Sequence, residues 1–261
     1  MILDTIAAST RRRVEAAKAS VSFDVIKERA FTMSKGQFSF EKALRTPRIS
    51  FICEVKKASP SKGLISPDFP YLEIAKDYET AGASAISVLT EPEYFQGADT
   101  FLSDIRVISS LPLLRKDFTV DAYQIYEAKT IGADAVLLIC ALLDTQTIRS
   151  YLSICDELGL SALVEAHTAQ EVESALQAGA RIVGVNNRNL KTFEVNIETC
   201  EKLRPLVPDN MLFVAESGTK TNDDIKRLSE ARVDAVLVGE TLMRSADRKA
   251  ALTQLRKGDK R

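Results

Sequence analysis

The chain contains 261 residues, of which 45% are hydrophobic and 27% are charged, and its formal net charge is −1. This balanced charge favours neither nucleic acid nor a membrane surface as a partner, and the longest apolar runs fall well short of the roughly 20 residues that a transmembrane helix needs. The four cysteines form no C-x-x-C pair and the amino terminus has no apolar signal segment, so the sequence predicts reduced thiols in a cytoplasmic protein.

Residues 1–48 precede the first predicted strand, and apolar residues recur there at helical spacing over Met1–Ser20, Phe23–Ala30 and Phe40–Leu44. We therefore expect a helical extension that is long enough to close either the bottom or the top of a barrel. The basic run Arg11–Arg13 is expected to form a solvated face of the first helix.

Eight apolar runs of strand length follow, at about 49–55, 84–89, 112–116, 134–140, 160–165, 181–186, 211–216 and 234–239. Amphipathic segments that predict helices lie between them, among them Tyr71–Ala81, Thr145–Leu158, Ala169–Ala178 and Thr221–Ala231. A phrase such as Ala-Gly-Ala recurs just before several of the strands, and its glycine suits the residue after a helix, where a positive φ is common. Strands that alternate with helices predict a parallel sheet.

An open, doubly wound sheet and a closed barrel both fit this alternation. Eight units within about 210 residues favour closure, and neither the G-x-G-x-x-G nor the P-loop pattern occurs to support the open sheet. No linker rich in Pro, Gly or Ser divides the chain. The predicted fold is therefore an α/β (β/α)8 TIM barrel with an N-terminal helical extension, and residues 1–261 are predicted to form a single domain.

Polar residues stand at the carboxyl ends of five of the apolar runs. They are Glu54-Val55-Lys56, Arg115-Lys116-Asp117, Glu165, Asn186-Asn187-Arg188 and Glu216-Ser217-Gly218. The carboxyl ends of all eight strands meet at one face of a barrel, and active sites are built at that face. These residues are therefore predicted to surround one cavity, although they are scattered along the chain.

The first strand end carries an acid and a base together. Glu54 and Lys56 alternate with Val55, so both side chains point to the same side of the strand. The loop that follows, Lys57–Gly63, is rich in Ser, Lys, Pro and Gly, and we expect it to move and to close over a charged ligand. A structural ion pair followed by a solvated loop is the alternative.

Lys116 and Glu165 are the other candidates for proton transfer. A lysine at a barrel mouth is a phosphate clamp, a Schiff-base nucleophile or a proton donor, and the neighbouring cations Lys56 and Arg188 are expected to lower its pKa. Glu165 ends an otherwise apolar strand, where a carboxylate suits a general base; a buried carboxylate that only pairs with a lysine is the alternative. His167 is the single histidine and has no second ligand, so no metal site is predicted and a surface or capping role is expected.

The last two strand ends predict an anion site. Ser217-Gly218-Thr219 follows the seventh strand, and Gly239-Glu240 follows the eighth strand at the start of a short helical turn. Barrels frequently bind phosphate between these two loops. Because the Glu240 carboxylate would repel an anion, we expect its side chain to turn away from it.

At these residues the chain resembles the indole-3-glycerol phosphate synthase family. The most specific match is the segment from Glu54 to Gly63, Glu-Val-Lys-Lys-Ala-Ser-Pro-Ser-Lys-Gly, and the matches cover essentially the whole chain. The others are Leu89-Thr90-Glu91, Tyr94-Phe95-Gln96-Gly97, Leu114-Arg115-Lys116-Asp117-Phe118, Leu163-Val164-Glu165, Gly184-Val185-Asn186-Asn187-Arg188-Asn189-Leu190, Ala215-Glu216-Ser217-Gly218 and Val238-Gly239-Glu240-Thr241-Leu242-Met243.

The resemblance implies a carboxy-lyase of tryptophan biosynthesis that uses no cofactor and no metal. Its substrate would be 1-(2-carboxyphenylamino)-1-deoxyribulose 5-phosphate, which closes to an indole with loss of carbon dioxide and water. By analogy Lys116 protonates the ketone oxygen, Glu165 is the base, and Glu54 and Lys56 belong to the same proton-transfer network. A monomer that binds this small sugar phosphate, and neither nucleic acid nor membrane, is implied.

The resemblance also implies roles for the residues around the substrate. Lys56 and Arg188 suit one of its anionic groups, and Asn186 and Glu216 suit its hydroxyls. The remaining roles are an apolar slot for the aryl ring (Pro60, Phe95, Phe118, Leu137 and Leu190), a contact from the first loop (Ser59), and the phosphate site (Ser217, Gly218, Gly239 and Glu240).

Two other interpretations stay open from the sequence. A related barrel such as phosphoribosylanthranilate isomerase would share the phosphate site but not Glu54, Lys56 and Lys116. A non-catalytic phosphate-binding barrel would be expected to lose Lys116 or Glu165 first, and both are present.

Overall fold

Eight parallel strands form a closed barrel in the computed structural model of the protein, which describes residues 2–259. They are β1 (Ser50–Val55), β2 (Ala85–Leu89), β3 (Leu113–Lys116), β4 (Ala135–Ile139), β5 (Ser161–Ala166), β6 (Ile182–Asn186), β7 (Leu212–Glu216) and β8 (Ala235–Val238). Each strand pairs with the next along the chain, and β8 pairs with β1 to close the sheet. The predicted TIM barrel is confirmed, and every predicted strand end lies within one residue of the observed one.

Helices connect the strands and precede the barrel. The extension contains α1 (Ile2–Ser20), α2 (Phe23–Thr32) and α3 (Ser39–Leu44). The barrel and its carboxyl-terminal end carry α4 (Tyr71–Thr80), α5 (Asp99–Ile108), α6 (Tyr123–Thr130), α7 (Thr145–Leu158), α8 (Ala169–Ala178), α9 (Glu198–Leu203), α10 (Asn222–Glu230), α11 (Glu240–Met243) and α12 (Arg248–Arg256), with a 3-10 turn at Arg204–Leu206. None of the helices described over 2–259 is both long and apolar enough to cross a membrane.

The repeated small-residue phrase terminates helices as its glycine predicts. Gly82, Gly132 and Gly179 have φ of 81°, 93° and 93°, which is the left-handed conformation that glycine adopts at little cost. The fourth copy has Arg232 at this position, and Arg232 takes the same conformation with φ 59°. The backbone geometry of the helix end is therefore kept even where the side chain disfavours it.

The alternation of side chains along each strand separates two apolar layers. Outward residues such as Cys53 and Val164 pack with the helices, whereas inward residues such as Ile52 and Leu163 fill the barrel interior. A residue two positions beyond an inner core residue also points inward, but it lies nearer to the carboxyl-terminal mouth. This period brings the polar residues at the strand ends into the mouth of the barrel.

The extension closes both ends of the barrel. Phe40 and Leu44 on α3 are fully buried within the inner core, and Ser39 Oγ donates a hydrogen bond of 2.6 Å to Asp134 Oδ1. At the other end Ile2, Leu3 and Ile6 on α1 line the cavity at the strand ends. From the sequence, the extension was expected to close either the bottom or the top of the barrel. In the structure α3 closes one end and α1 the other.

Candidate active site

A cavity of about 720 Å³ lies at the carboxyl ends of the strands. It is lined by every residue for which the sequence predicts a role at the site, namely Glu54, Lys56, Ser59, Pro60, Phe95, Phe118, Lys116, Leu137, Glu165, Asn186, Arg188, Leu190, Glu216, Ser217, Gly218, Gly239 and Glu240. The expected convergence at one face is therefore observed, while the individual roles stay predictions.

Lys116 lies between two buried carboxylates at the centre of the cavity. Its Nζ is 3.7 Å from Glu165 Oε2 and 3.8 Å from Glu216 Oε2. Burial alone would lower the pKa of Lys116, but the charges of Glu165, Glu216 and Glu54 raise it above the ordinary lysine value. The expectation of a lowered pKa is wrong, because these carboxylates dominate the environment of Lys116 and the cations Lys56 and Arg188 do not. Lys116 is an ammonium at neutral pH.

Glu54 and Lys56 form a close ion pair beside this centre. Lys56 Nζ lies 2.5 Å from Glu54 Oε1, and Ser87 Oγ donates to Glu54 Oε2 over 3.5 Å. Burial opposes ionisation of Glu54, but Lys56 and Lys116 lower its pKa below the usual value. Gly239 makes room for the pair, since a Cβ at that position would lie 2.5 Å from Glu54 Oε1. Glu54 is therefore a carboxylate that is held in a fixed position.

The pKa of Glu216 is shifted in the opposite direction from that of Glu54. Burial and the charge of Glu165 raise the pKa of Glu216 well above its usual value, in spite of the nearby Lys116 ammonium. Its Oε1 is buried and has no hydrogen-bond partner among the described residues. A Cβ on Gly184 would lie 2.3 Å from this oxygen. Glu216 thus occupies space that only a glycine leaves open, and burial there disfavours its ionised form.

Asp117 connects the extension to the strand that bears Lys116. Arg13 on α1 donates to both Asp117 oxygens, over 2.9 and 2.8 Å. Thr90 Oγ1 and the Phe118 N–H also donate to this carboxylate, which is 2% exposed. The expectation of a solvated basic face holds for Arg11 and Arg12 but is wrong for Arg13, which is only partly exposed.

Glu240 lies at the cavity mouth among cations. Its oxygens are 3.7 Å from Lys62 Nζ, 3.9 Å from Arg188 Nη2 and 3.2 Å from Arg244 Nε. The expectation that this side chain turns away is wrong, because three positive charges at the mouth compensate its carboxylate. Lys62 belongs to the predicted mobile loop, which contains a short hairpin that pairs Ala58–Ser59 with Gly63–Leu64.

An apolar slot and a tight turn complete the lining. The Phe95 and Phe118 rings lie with their centroids 6.0 Å apart and their planes at 41°. After β7, Ser217 and Gly218 both have positive φ, of 64° and 91°. Thr219 follows them along the cavity wall, and its Oγ1 is buried without a hydrogen-bond partner among the described residues. Thr219 belongs to the Ser217-Gly218-Thr219 segment for which the sequence predicts an anion site, but no individual role was predicted for its side chain.

His167 follows β5 and lies beside Glu165. Its side chain is 13% exposed, its Nε2 is 3.4 Å from Glu165 Oε1, and its Nδ1 is 3.3 Å from Glu171 Oε2. The surface half of the prediction is wrong, because two carboxylates flank the ring, whereas the alternative of a capping role fits its position just before the N-cap of α8 and the hydrogen bond from its backbone N–H to Glu171. Over residues 2–259 no cluster of three His, Cys, Asp or Glu side chains could hold a metal ion, and all four cysteines are free.

Comparison with known proteins identifies the family. The family model described as indole-3-glycerol phosphate synthase matches residues 3–255. The chain belongs to the indole-3-glycerol phosphate synthase family. The family member from Ruminiclostridium cellulolyticum is 62% identical, over 98% of this chain and 99% of its own length, and that from Endomicrobium trichonymphae is 55% identical, over 98% and 100%. Membership in this family sets aside the isomerase and the non-catalytic barrel.

Solved structures of more distant proteins share the fold of the family. A 3-hexulose-6-phosphate synthase has a TM-score of 0.63 at 17% identity, and it covers 80% of this chain and 99% of its own. The 3-hexulose-6-phosphate synthase of Salmonella typhimurium has a TM-score of 0.66 at 14% identity, over 80% and 98%. At these identities the likeness is one of fold alone.

Proposed function

We propose that this cavity converts 1-(2-carboxyphenylamino)-1-deoxyribulose 5-phosphate into indole-3-glycerol phosphate, carbon dioxide and water, as a carboxy-lyase of tryptophan biosynthesis. One observation carries the proposal: the Lys116 ammonium lies between the Glu165 and Glu216 side chains in a cavity with an aromatic wall. The reaction needs a proton donor at a ketone and a nearby base, and it needs an apolar surface for a ring. The cavity contains all three.

Ring closure is assigned to Lys116 as the proton donor. The ring carbon that bears the carboxylate attacks the ketone carbon, and the ketone oxygen takes a proton from Lys116. The bond to the carboxylate then breaks, carbon dioxide leaves, and the ring becomes aromatic again. A raised pKa suits this step, because it keeps Lys116 protonated until negative charge develops on the oxygen. It also disfavours a Schiff base, which requires a neutral amine.

Dehydration is assigned to the acid and base groups around Lys116. The hydroxyl formed at the former ketone carbon leaves as water when it takes a proton, and the neighbouring methylene carbon loses a proton to a base. Glu165 is the base in this proposal, and Glu54 and Lys56 take part in the same proton transfers. The 2.5 Å pair between Lys56 and Glu54 gives a direct path for a proton within this network.

The two ends of the substrate bind at opposite sides of the cavity. Phe95 and Phe118, together with Pro60, Leu137 and Leu190, receive the aryl ring. The phosphate lies against Ser217-Gly218 and Gly239-Glu240, because a turn of residues with positive φ presents successive backbone N–H groups to an anion. Lys56 and Arg188 bind an anionic group, Asn186 and Glu216 bind hydroxyls, and Ser59 contacts the substrate from the loop.

The active unit is proposed to be a cytoplasmic monomer. Free cysteines fit a reducing compartment. Light scattering of the purified protein should give a mass near 28.7 kDa, and a stable mass of twice that value or more would contradict the monomer.

The reaction is tested by offering the carboxyanilino sugar phosphate and following indole fluorescence and released carbon dioxide together. The account predicts that both appear in equal amounts without added metal or cofactor, and that Glu165→Gln forms little of either. Release of carbon dioxide without indole, or no reaction at all by the wild-type protein, would contradict the proposed function.

A further inference from the structure

His167 holds the opposite side of the proposed base from Lys116. The Glu165 carboxylate has Lys116 Nζ 3.7 Å from its Oε2 and His167 Nε2 3.4 Å from its Oε1. Two basic groups thus approach different oxygens of one carboxylate. His167 is not among the residues that line the cavity, within the part of the chain that the structure describes. It contacts the base without facing the substrate.

The first turn of α8 holds the imidazole in this position. Glu171 Oε2 accepts the backbone N–H of His167 over 2.7 Å and lies 3.3 Å from its Nδ1. Glu171 is itself fixed, because its N–H donates to the side chain of Thr168, the N-cap of α8. With Nδ1 and the backbone both bound to Glu171, the ring can present only Nε2 to Glu165.

The Nε2 atom is buried and makes no aligned hydrogen bond to any described residue. A buried polar atom without a hydrogen-bond partner is unfavourable. The Glu165 Oε1 atom, at 3.4 Å, is close enough that a small rotation of either side chain would make the bond. The two side chains are therefore close enough to form a hydrogen bond. This bond would hold the Glu165 carboxylate in one orientation.

The charges around the ring favour its protonated form. The ring faces Glu165 and Glu171, with the Lys116 ammonium beyond Glu165. Burial lowers the pKa of His167, but the hydrogen bond to Glu171 and the charge of Glu165 raise it above the ordinary value. The Cys140 thiol, which also lies near both carboxylates, is neutral because burial raises its pKa to about 12.

We infer that His167 is a positioning residue for Glu165: its Nε2–H binds Oε1 and leaves Oε2 directed at Lys116 and the substrate. The inference rests on the proposed role of Glu165 as base. Substrate does not touch His167, so the loss of this residue should act on kcat and leave KM nearly unchanged. The arrangement is the reverse of one in which a buried carboxylate orients a catalytic histidine: here the histidine orients the catalytic carboxylate.

Two substitutions of His167 distinguish the roles of its two ring nitrogens. His167→Gln places an amide N–H near the position of Nε2, whereas His167→Asn reaches only the position of Nδ1. We expect His167→Asn to lower kcat about tenfold with KM within about twofold, and His167→Gln to recover most of that loss. In a Glu165→Gln background, measured in single turnovers, His167→Asn should cause no further loss. Equal rates in the wild type and His167→Asn, or a full further tenfold loss in the Glu165→Gln background, would overturn the inference.

A second measurement does not depend on activity. His167 is the only histidine of the chain, so NMR of protein free of added histidines reports this one imidazole. Its pKa should lie above the ordinary value, fall by at least about 0.5 in Glu165→Gln, and stay unchanged in the matched control Glu173→Gln, which alters an exposed residue of the same helix. An unchanged pKa in Glu165→Gln would contradict the contact even if the wild type formed indole normally, and a fall would support it even if the proposed reaction failed.

Discussion

At the scale of single residues, the protonation of the cavity follows from which charges surround each group. Three carboxylates raise the pKa of Lys116, and two ammonium groups lower that of Glu54. Burial and the neighbouring charge of Glu165 raise the pKa of Glu216. The centre of the cavity therefore contains a cationic donor at Lys116 and an ionised Glu54, beside a Glu216 whose pKa is shifted upward.

Gly184 should be required for the position of Glu216. In Gly184→Ala the new Cβ would meet Glu216 Oε1 at 2.3 Å and Leu163 Cδ1 at 3.0 Å. We expect a loss of about 1–3 kcal/mol in the free energy of unfolding and a fall in kcat of at least about tenfold, measured by urea denaturation and steady-state kinetics. In a Glu216→Ala background the same substitution should cause a clearly smaller loss of stability, because only the contact with Leu163 remains. An equal loss of stability in both backgrounds would show that the steric strain does not come from the contact with Glu216.

At the scale of elements, ion pairs from Arg13 to Asp117 and from Lys18 to Asp121 attach α1 to the barrel, and only the first involves a fully buried carboxylate. Removal of Arg13 leaves the Asp117 carboxylate buried with fewer donors, which is more damaging than the loss of an exposed pair. Arg13→Ala should therefore lower the free energy of unfolding by about 3 kcal/mol and speed hydrogen exchange in α1. The exposed neighbour Arg12 is the matched control, and Arg12→Ala should change either quantity little. Similar effects of the two substitutions would contradict the assigned anchor.

The contribution of α3 to the stability of the protein should depend partly on pH. Burial opposes ionisation of Glu41, but hydrogen bonds from Arg181 and Arg45 lower its pKa. A carboxyl group whose pKa is depressed by folding stabilises the protein above its unfolded pKa, and this stabilisation is lost as pH falls through the folded value. Glu41→Gln should therefore lower stability by about 1 kcal/mol at pH 7, and the difference should shrink below about pH 4. A constant difference from pH 7 to pH 3 would contradict this assignment.

The loop over the mouth should respond to ligand. Lys62 reaches Glu240 across the mouth at 3.7 Å, while Leu64 is 49% exposed. Binding of a non-cyclising substrate analogue should order the loop and slow amide hydrogen exchange over 57–63, with no comparable change in α2, none of whose residues lines the cavity. Unchanged exchange in the loop would argue against closure.

At the scale of the whole molecule, the features that could be predicted are those that depend on local patterns of residues. Buried parallel strands give continuous apolar runs, so each strand and each polar strand end was visible in the sequence. Contacts between distant segments were not visible. Arg13 and Asp117 are 104 residues apart, and nothing in a run of three arginines distinguishes the one that pairs.

The pKa of Lys116 shows a second limit of sequence reasoning. The cations and the carboxylates that could affect it were all identified in the sequence, yet the direction of the shift depends on their distances. In the fold Glu165 and Glu216 lie within 4 Å of its Nζ, and their charges outweigh burial. Spacing along the chain contains no information about which charges will be closest.

The central claim is that Lys116 acts as a proton donor within this cavity, and single turnovers of Lys116→Met test it most directly. The account predicts a rate of ring closure lower by about 10²–10⁴-fold or more, with binding of a reduced, non-cyclising substrate analogue kept within about tenfold. Borohydride added during turnover of the wild type should trap no adduct. A near-normal rate in Lys116→Met, or a trapped adduct on Lys116, would contradict the claim and leave Lys56 as the next candidate for the acid.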